Sequence, residues 1–275
     1  MPATSSPPPA PDKFPGPMPL IAGPCVIESA DLCLRIAGAL VGPARDAGFQ
    51  LVFKASYDKA NRSSPTGFRG PGPDEGLAIL ARVRSEFGVP VTTDVHSTSE
   101  IAAAAQATDI LQIPAFLCRQ TDLIQAAARS GRTVNVKKGQ FLAPWDAAQI
   151  AAKLRDAGCD DFYITERGTT FGYNNLVVDM RGLAWMRELG LRVIFDATHS
   201  VQRPGGLGDR TGGDASLAPV LARAAIAARI DGLFIETHPD PERSPSDGPN
   251  MIPLTQMPGL LRTLARIRDA AAEIP

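Results

Sequence analysis

Short apolar and β-branched runs recur along the chain, each followed by a longer stretch whose apolar positions fall at helical spacing. The runs predict strands over Leu20–Ile27, Gln50–Tyr57, Pro90–Val95, Asp109–Pro114, Thr133–Lys138, Phe162–Arg167, Arg192–Thr198 and Gly232–Thr237. The stretches between them predict helices over Asp31–Ala47, Asp74–Phe87, Ser99–Ala107, Thr121–Ser130, Ala147–Ala157, Val177–Leu189 and Ser216–Arg229, with a last one over Pro258–Ala272. Glycines at 48, 131, 158 and 190 stand where helix C-caps belong, and Ser97 with Glu100 has capping-box spacing.

The strand runs are apolar on both faces, as strands covered on both sides by helices must be. Eight strand–helix units in 275 residues predict a single (β/α)8 TIM barrel, an α/β fold. An open doubly wound sheet shares that periodicity, but no G-x-G-x-x-G follows the first run. Residues 1–17 hold seven prolines and almost no apolar periodicity, so they read as an extended or disordered tail; residues 18–275 read as one domain.

Charge then narrows the function classes. A net charge of -1 and a pI near 6.3 disfavour a general nucleic-acid binder. No apolar run approaches the length of a membrane helix and no signal segment opens the chain, so a cytoplasmic, membrane-free protein is expected. Cys25, Cys33, Cys118 and Cys159 are too widely spaced for a disulfide scaffold. Only six basic residues are lysines, and four of them cluster as Lys54/Lys59 and Lys137/Lys138.

Barrel enzymes place their chemistry at the C-terminal ends of strands. Here nearly every strand end carries ionisable groups. Lys54, Lys59, Arg62, Arg119, Lys137, Lys138 and Arg167 form a cationic set that calls for phosphate or carboxylate ligands, although some could pair with Asp58, Asp94 or Glu166. Cys25, His199, Glu236 and Asp247 offer a thiolate, an imidazole and carboxylates suited to Zn²⁺, Fe²⁺ or Mn²⁺. His96, His238 and Asp240 are rival ligands, and a lone Cys25 also fits a small buried hydrophobe. The glycine-rich stretches 69–73 and 204–213 follow the second and seventh strands, and the longer one reads as a lid.

The segments IAGPCVIES, FKASYDKANRSSP, DILQIPAFLCRQTDL, NVKKGQF, ERGTTFGYNNLVVDMR, FDATHSVQ and IETHPDP…SDGPN resemble the 3-deoxy-D-manno-octulosonate 8-phosphate synthases, in order over about residues 20–260. The resemblance implies condensation of phosphoenolpyruvate with D-arabinose 5-phosphate and water, in lipopolysaccharide precursor synthesis. The segment Lys59-Ala-Asn-Arg-Ser-Ser64 sets it apart from the heptulosonate 7-phosphate synthases, which take erythrose 4-phosphate. A non-catalytic sugar-phosphate sensor on the same barrel is the reading from another class.

By that resemblance Lys54, Lys59, Gln112, Lys137 and Arg167 would hold phosphoenolpyruvate, with Lys59, Lys137 and His199 nearest the chemistry. Asn61, Arg62, Ser63 and Asp94 would hold the pentose phosphate, with Arg119 reaching in from a neighbouring subunit of a homotetramer. Cys25 in the first motif implies the metal-dependent branch, with Cys25, His199, Glu236 and Asp247 as ligands. The general base stays open between His199 and a metal-held water.

Overall fold

The computed structural model describes residues 16–60, 67–206 and 211–273. The proline-rich tail therefore lies largely outside the described residues. Eight parallel strands form the expected closed barrel: β1 (Met18–Gly23), β2 (Phe49–Lys54), β3 (Val91–Asp94), β4 (Ile110–Ile113), β5 (Thr133–Lys137), β6 (Phe162–Glu166), β7 (Val193–Asp196) and β8 (Gly232–His238). Each pairs with the next, and β1 pairs with β8 through Leu20–Leu233 and Gly23–Glu236 to close the ring. An open sheet is excluded by that last pairing.

Helices α1 (Ala30–Asp46), α2 (Pro73–Phe87), α3 (Ile101–Ala107), α4 (Thr121–Arg129), α5 (Ala147–Asp156), α6 (Arg181–Glu188), α7 (Ala218–Ala227) and α8 (Met257–Ala272) lie between or after the strands. Their apolar stripes, such as Ile36, Leu40 and Ala44 of α1, are buried against the outer faces of the strands. Gly48, Gly131, Gly158 and Gly190 all take positive φ, as C-cap glycines do.

Inside the ring, Ile21, Val52, Ile110, Tyr163, Ile194 and Phe234 fill a separate apolar layer. Above it the interior turns polar. Gln112 donates to Asp94 at 2.6 Å and accepts from Asn135 at 2.9 Å, while Thr165 donates to Asn135 at 2.6 Å. This chain of bonds spans β3 to β6 and makes a polar floor on an apolar plug.

Two local expectations are corrected. The helix expected over Val177–Leu189 begins only at Arg181, because Leu176–Val177 pairs with Thr169–Thr170 as a short antiparallel hairpin. Asp179, just ahead of the helix, accepts from the Arg181 amide at 3.0 Å. The Ser97/Glu100 capping box does not form: Glu100 instead accepts from the Ser97 hydroxyl, the Tyr57 hydroxyl and the His96 amide.

Candidate active site

A cavity of about 540 Å³ opens at the C-terminal mouth of the barrel. Strand alternation aims Lys54, Asp94, Gln112, Lys137 and Asp196 into it, and Lys59, Arg167, His199, Gln202 and Asp247 reach it from the loops. The cations are not loose. Lys54 Nζ lies 3.0 Å from Glu236 and 3.6 Å from Asp94. Lys137 Nζ bonds Asp196 and rests 3.2 Å above the centroid of the Phe234 ring. Arg167 donates to Gln202.

These contacts set the charge states. Burial pulls the Lys137 ammonium down to about 8 against the opposing pull of Asp196. Lys59 moves up despite burial, because the acidic groups around it, first Cys25 and then Glu236 and Asp94, favour its charge. Asp94 and Asp196 fall well below the carboxylate range although burial opposes it. Lys54 and Lys59 hold the first ionised; His199 and Lys137 hold the second.

Beside the cations, Cys25, Glu236 and Asp247 bring three donor atoms within 4.8 Å of one another. The Cys25 Sγ lies 3.1 Å from both Asp247 Oδ2 and Ser246 Oγ. His199 Nε2 faces the group at 3.6 Å from Glu236 and 3.9 Å from Asp247, while Nδ1 is 2.7 Å from Asp196. Two features fit a metal. Glu236 Oε2 is buried with no hydrogen-bond partner among the described residues, and the Asp196 contact favours the tautomer that leaves Nε2 bare. Burial, with Glu236 second, pushes the Cys25 thiol well up, so its thiolate needs a cation beside it.

The rival ligands stand apart. His96 lines the cavity, but its Nδ1 is 3.5 Å from Glu100. His238 faces Glu28 at 3.2 Å and accepts from the Asp240 amide. Cys33, Cys118 and Cys159 are buried in the hydrophobic core, away from this group.

Other expected site residues divide three ways. Asn61, Arg62 and Ser63 lie outside the described residues. Arg119 is exposed and does not line the cavity of its own chain. Lys138, expected at the mouth, is buried behind it, 3.4 Å from Glu166. It follows Lys137 directly, so its side chain leaves the opposite face of the strand. Of the two glycine-rich stretches, 69–73 is packed down, with Lys59 N bonding Arg69 O and Gly72 N bonding Tyr57 O. The other is based on a short ribbon, Gln202–Arg203 against Gly212–Gly213, and Pro204, Gly205 and Thr211 border the cavity.

Asp196, Gln202 and Gln140 are functional candidates that the sequence reasoning gave no role. Asp196 had a readable signal, three residues before His199 at a strand end. Gln202 bridges Arg167 and Asp247, the latter at 3.0 Å, and no spacing announces that.

Comparison with known proteins bears on the whole chain. The model of the DAHP synthetase I family matches residues 16–273. A relative from Verminephrobacter eiseniae is 59% identical over 254 residues, covering 90% of this chain and 89% of its own. One from Acidithiobacillus ferrooxidans is 58% identical over 248 residues, covering 90% and 88%. A third, from Synechococcus sp., is 56% identical over 257 residues, covering 94% and 90%. All three are named 2-dehydro-3-deoxyphosphooctonate aldolase. The chain belongs to the DAHP synthetase I family, beside relatives that carry the 2-dehydro-3-deoxyphosphooctonate aldolase name.

Proposed function

We propose that the chain is a 3-deoxy-8-phosphooctulonate synthase, condensing phosphoenolpyruvate with D-arabinose 5-phosphate and water for lipopolysaccharide precursor synthesis. The relatives' name supports this, and the observation that carries it is the convergence of Lys54, Lys59, Lys137 and Arg167 on one cavity. Two anionic substrates repel each other, and four fixed cations offset that repulsion while orienting them.

C3 of phosphoenolpyruvate attacks the aldehyde carbon, whose oxygen takes up a proton. Water adds at C2 and loses one. The C2–O bond to phosphate then breaks as the C2 hydroxyl gives up its proton, leaving the ketone and inorganic phosphate. Lys59 stays charged as an anion clamp. Lys137 Nζ, brought to about 8, is tuned to pass a proton to the departing phosphate. Asp94, ionised on the polar floor, takes a sugar hydroxyl, with Asn61, Arg62 and Ser63 at the pentose phosphate. Gln112 keeps one amide hydrogen for phosphoenolpyruvate beyond its bond to Asp94.

A divalent cation, Zn²⁺, Fe²⁺ or Mn²⁺, would be held by Cys25, His199, Glu236 and Asp247. It would supply positive charge beside the reacting aldehyde. A homotetramer in the cytoplasm completes the reading, with Arg119 serving a neighbour's site. Phe116, Phe141 and Phe171, exposed on successive loops after β4, β5 and β6, support an apolar contact face. Among the described residues no helix is long and apolar enough to cross a membrane.

The test is phosphate release with each aldose. Turnover with arabinose 5-phosphate well above that with erythrose 4-phosphate supports the reading. The reverse preference, or binding without turnover, overturns it.

A further inference from the structure

Lys138 is wholly buried, yet it takes no part in the cavity. Its ammonium has three hydrogens and four acceptors. These are Leu142 O at 2.9 Å, Gly139 O at 3.4 Å, Thr169 Oγ1 at 3.4 Å and Glu166 Oε2 at 3.4 Å. Two acceptors belong to the loop after β5, one is the last residue of β6, and one lies in the segment that follows it. Glu166 spends its other oxygen on the Gly168 amide at 2.6 Å, in a turn where Gly168 has φ near +88°. The two loops also meet directly, through Thr170 N to Gln140 O at 3.0 Å.

This node sits back to back with the anion site. Lys137 and Lys138 are neighbours on one strand end, Glu166 and Arg167 on the next, and alternation sends one of each pair inward. Arg167 is among the charges that oppose the Lys137 ammonium, while the buried Asp196 carboxylate favours both cations and lies against Lys137. A buried tie behind them fixes the backbone that carries both cations, and with it their spacing.

We infer that Lys138 is a positioning residue: with Glu166 it locks the loops after β5 and β6, and so sets Lys137, Gln140 and Arg167 for the phosphoenolpyruvate anion. The inference rests on the proposed anion site. Removing Lys138 alone would strand a buried Glu166 charge and endanger folding, so the informative variant neutralises both partners.

The experiment compares wild type, Lys138→Met/Glu166→Gln, Thr169→Val and the control Lys137→Ala. Melting temperature, calorimetric affinity for phosphoenolpyruvate, and KM for each substrate are measured. The double variant should bind phosphoenolpyruvate about tenfold more weakly with little change in the pentose KM, as displaced binding groups do. Thr169→Val, which removes one exposed acceptor, should weaken it about threefold and decides the matter if the double variant does not fold. A folded double variant with wild-type affinity overturns the inference, as does a Thr169→Val variant with wild-type affinity where the double variant fails to fold. If Lys137→Ala also binds like wild type, the anion-site reading itself fails, which separates the two.

Discussion

His199 Nδ1 stands 2.7 Å from Asp196 Oδ2, and the His199 amide donates to the other oxygen of the same carboxylate at 2.8 Å. One buried side chain therefore fixes both the ring and the backbone of the residue that turns Nε2 toward Glu236 and Asp247. Asp196→Asn keeps the shape and loses the charge. It should lower the affinity for a divalent cation by about 10–100-fold, the usual cost of losing a carboxylate behind a ligating imidazole. Competition against a chromophoric chelator measures it, and an unchanged affinity counts against a His199 ligand.

Cys25 provides the direct test of the metal. Exhaustive chelation should abolish activity, and Zn²⁺ or Mn²⁺ should restore it. Cys25→Asn should lower the bound metal per chain, read by elemental mass spectrometry, and by the family resemblance leave a metal-independent remainder of turnover. Full metal content in that variant would remove Cys25 from the donor set.

Lys137 predicts opposite pH trends for binding and stability. Its free-site value of about 8 means that the charged form, which the anion requires, is lost as pH rises through 8. The kcat/KM for phosphoenolpyruvate should decline above that pH. Between about 8 and 10.5 the folded chain binds fewer protons than the unfolded one. This lysine's contribution therefore stabilises the unliganded fold as pH rises through that window. A flat kcat/KM from pH 7 to 9.5 would sink the assignment.

Gly213 is confined by Asn250. A Cβ built there would lie 1.5 Å from Asn250 Oδ1, a buried amide. Gly213→Ala should displace the ribbon beside the cavity and cost about 1–3 kcal/mol of stability, as overpacking does. Adding Asn250→Ala should recover most of the loss. Failure of that rescue in thermal melts would place the strain elsewhere.

The barrel was legible because burial on both faces leaves a signal in eight separate runs. Strand ends were overextended where buried residues continue past the last ladder bond, as at Cys25–Ile27 and Ala55–Tyr57. The mouth as a chemical site was legible too, since strand-end position alone brings Lys54, Asp94, Lys137 and Glu236 together. What escaped depends on the sign of one alternation or on a pairing in space. Lys137 and Lys138 read alike until the pleat sends them to opposite faces. Asp196 looks like any charge partner until His199 is seen leaning on it. Arg119 is exposed and off the cavity, so the role proposed for it would require a second copy of the chain.

The pairing of β1 with β8 has a consequence in time as well as in space. Cys25 comes early in synthesis, Glu236 and Asp247 late, and nothing before β8 brings them within reach of each other. A growing chain thus exposes the Cys25 thiol without its carboxylate partners. If a metal is loaded, it can be captured only after the ring has closed, so its uptake would report that the protein has been made and folded to the last strand.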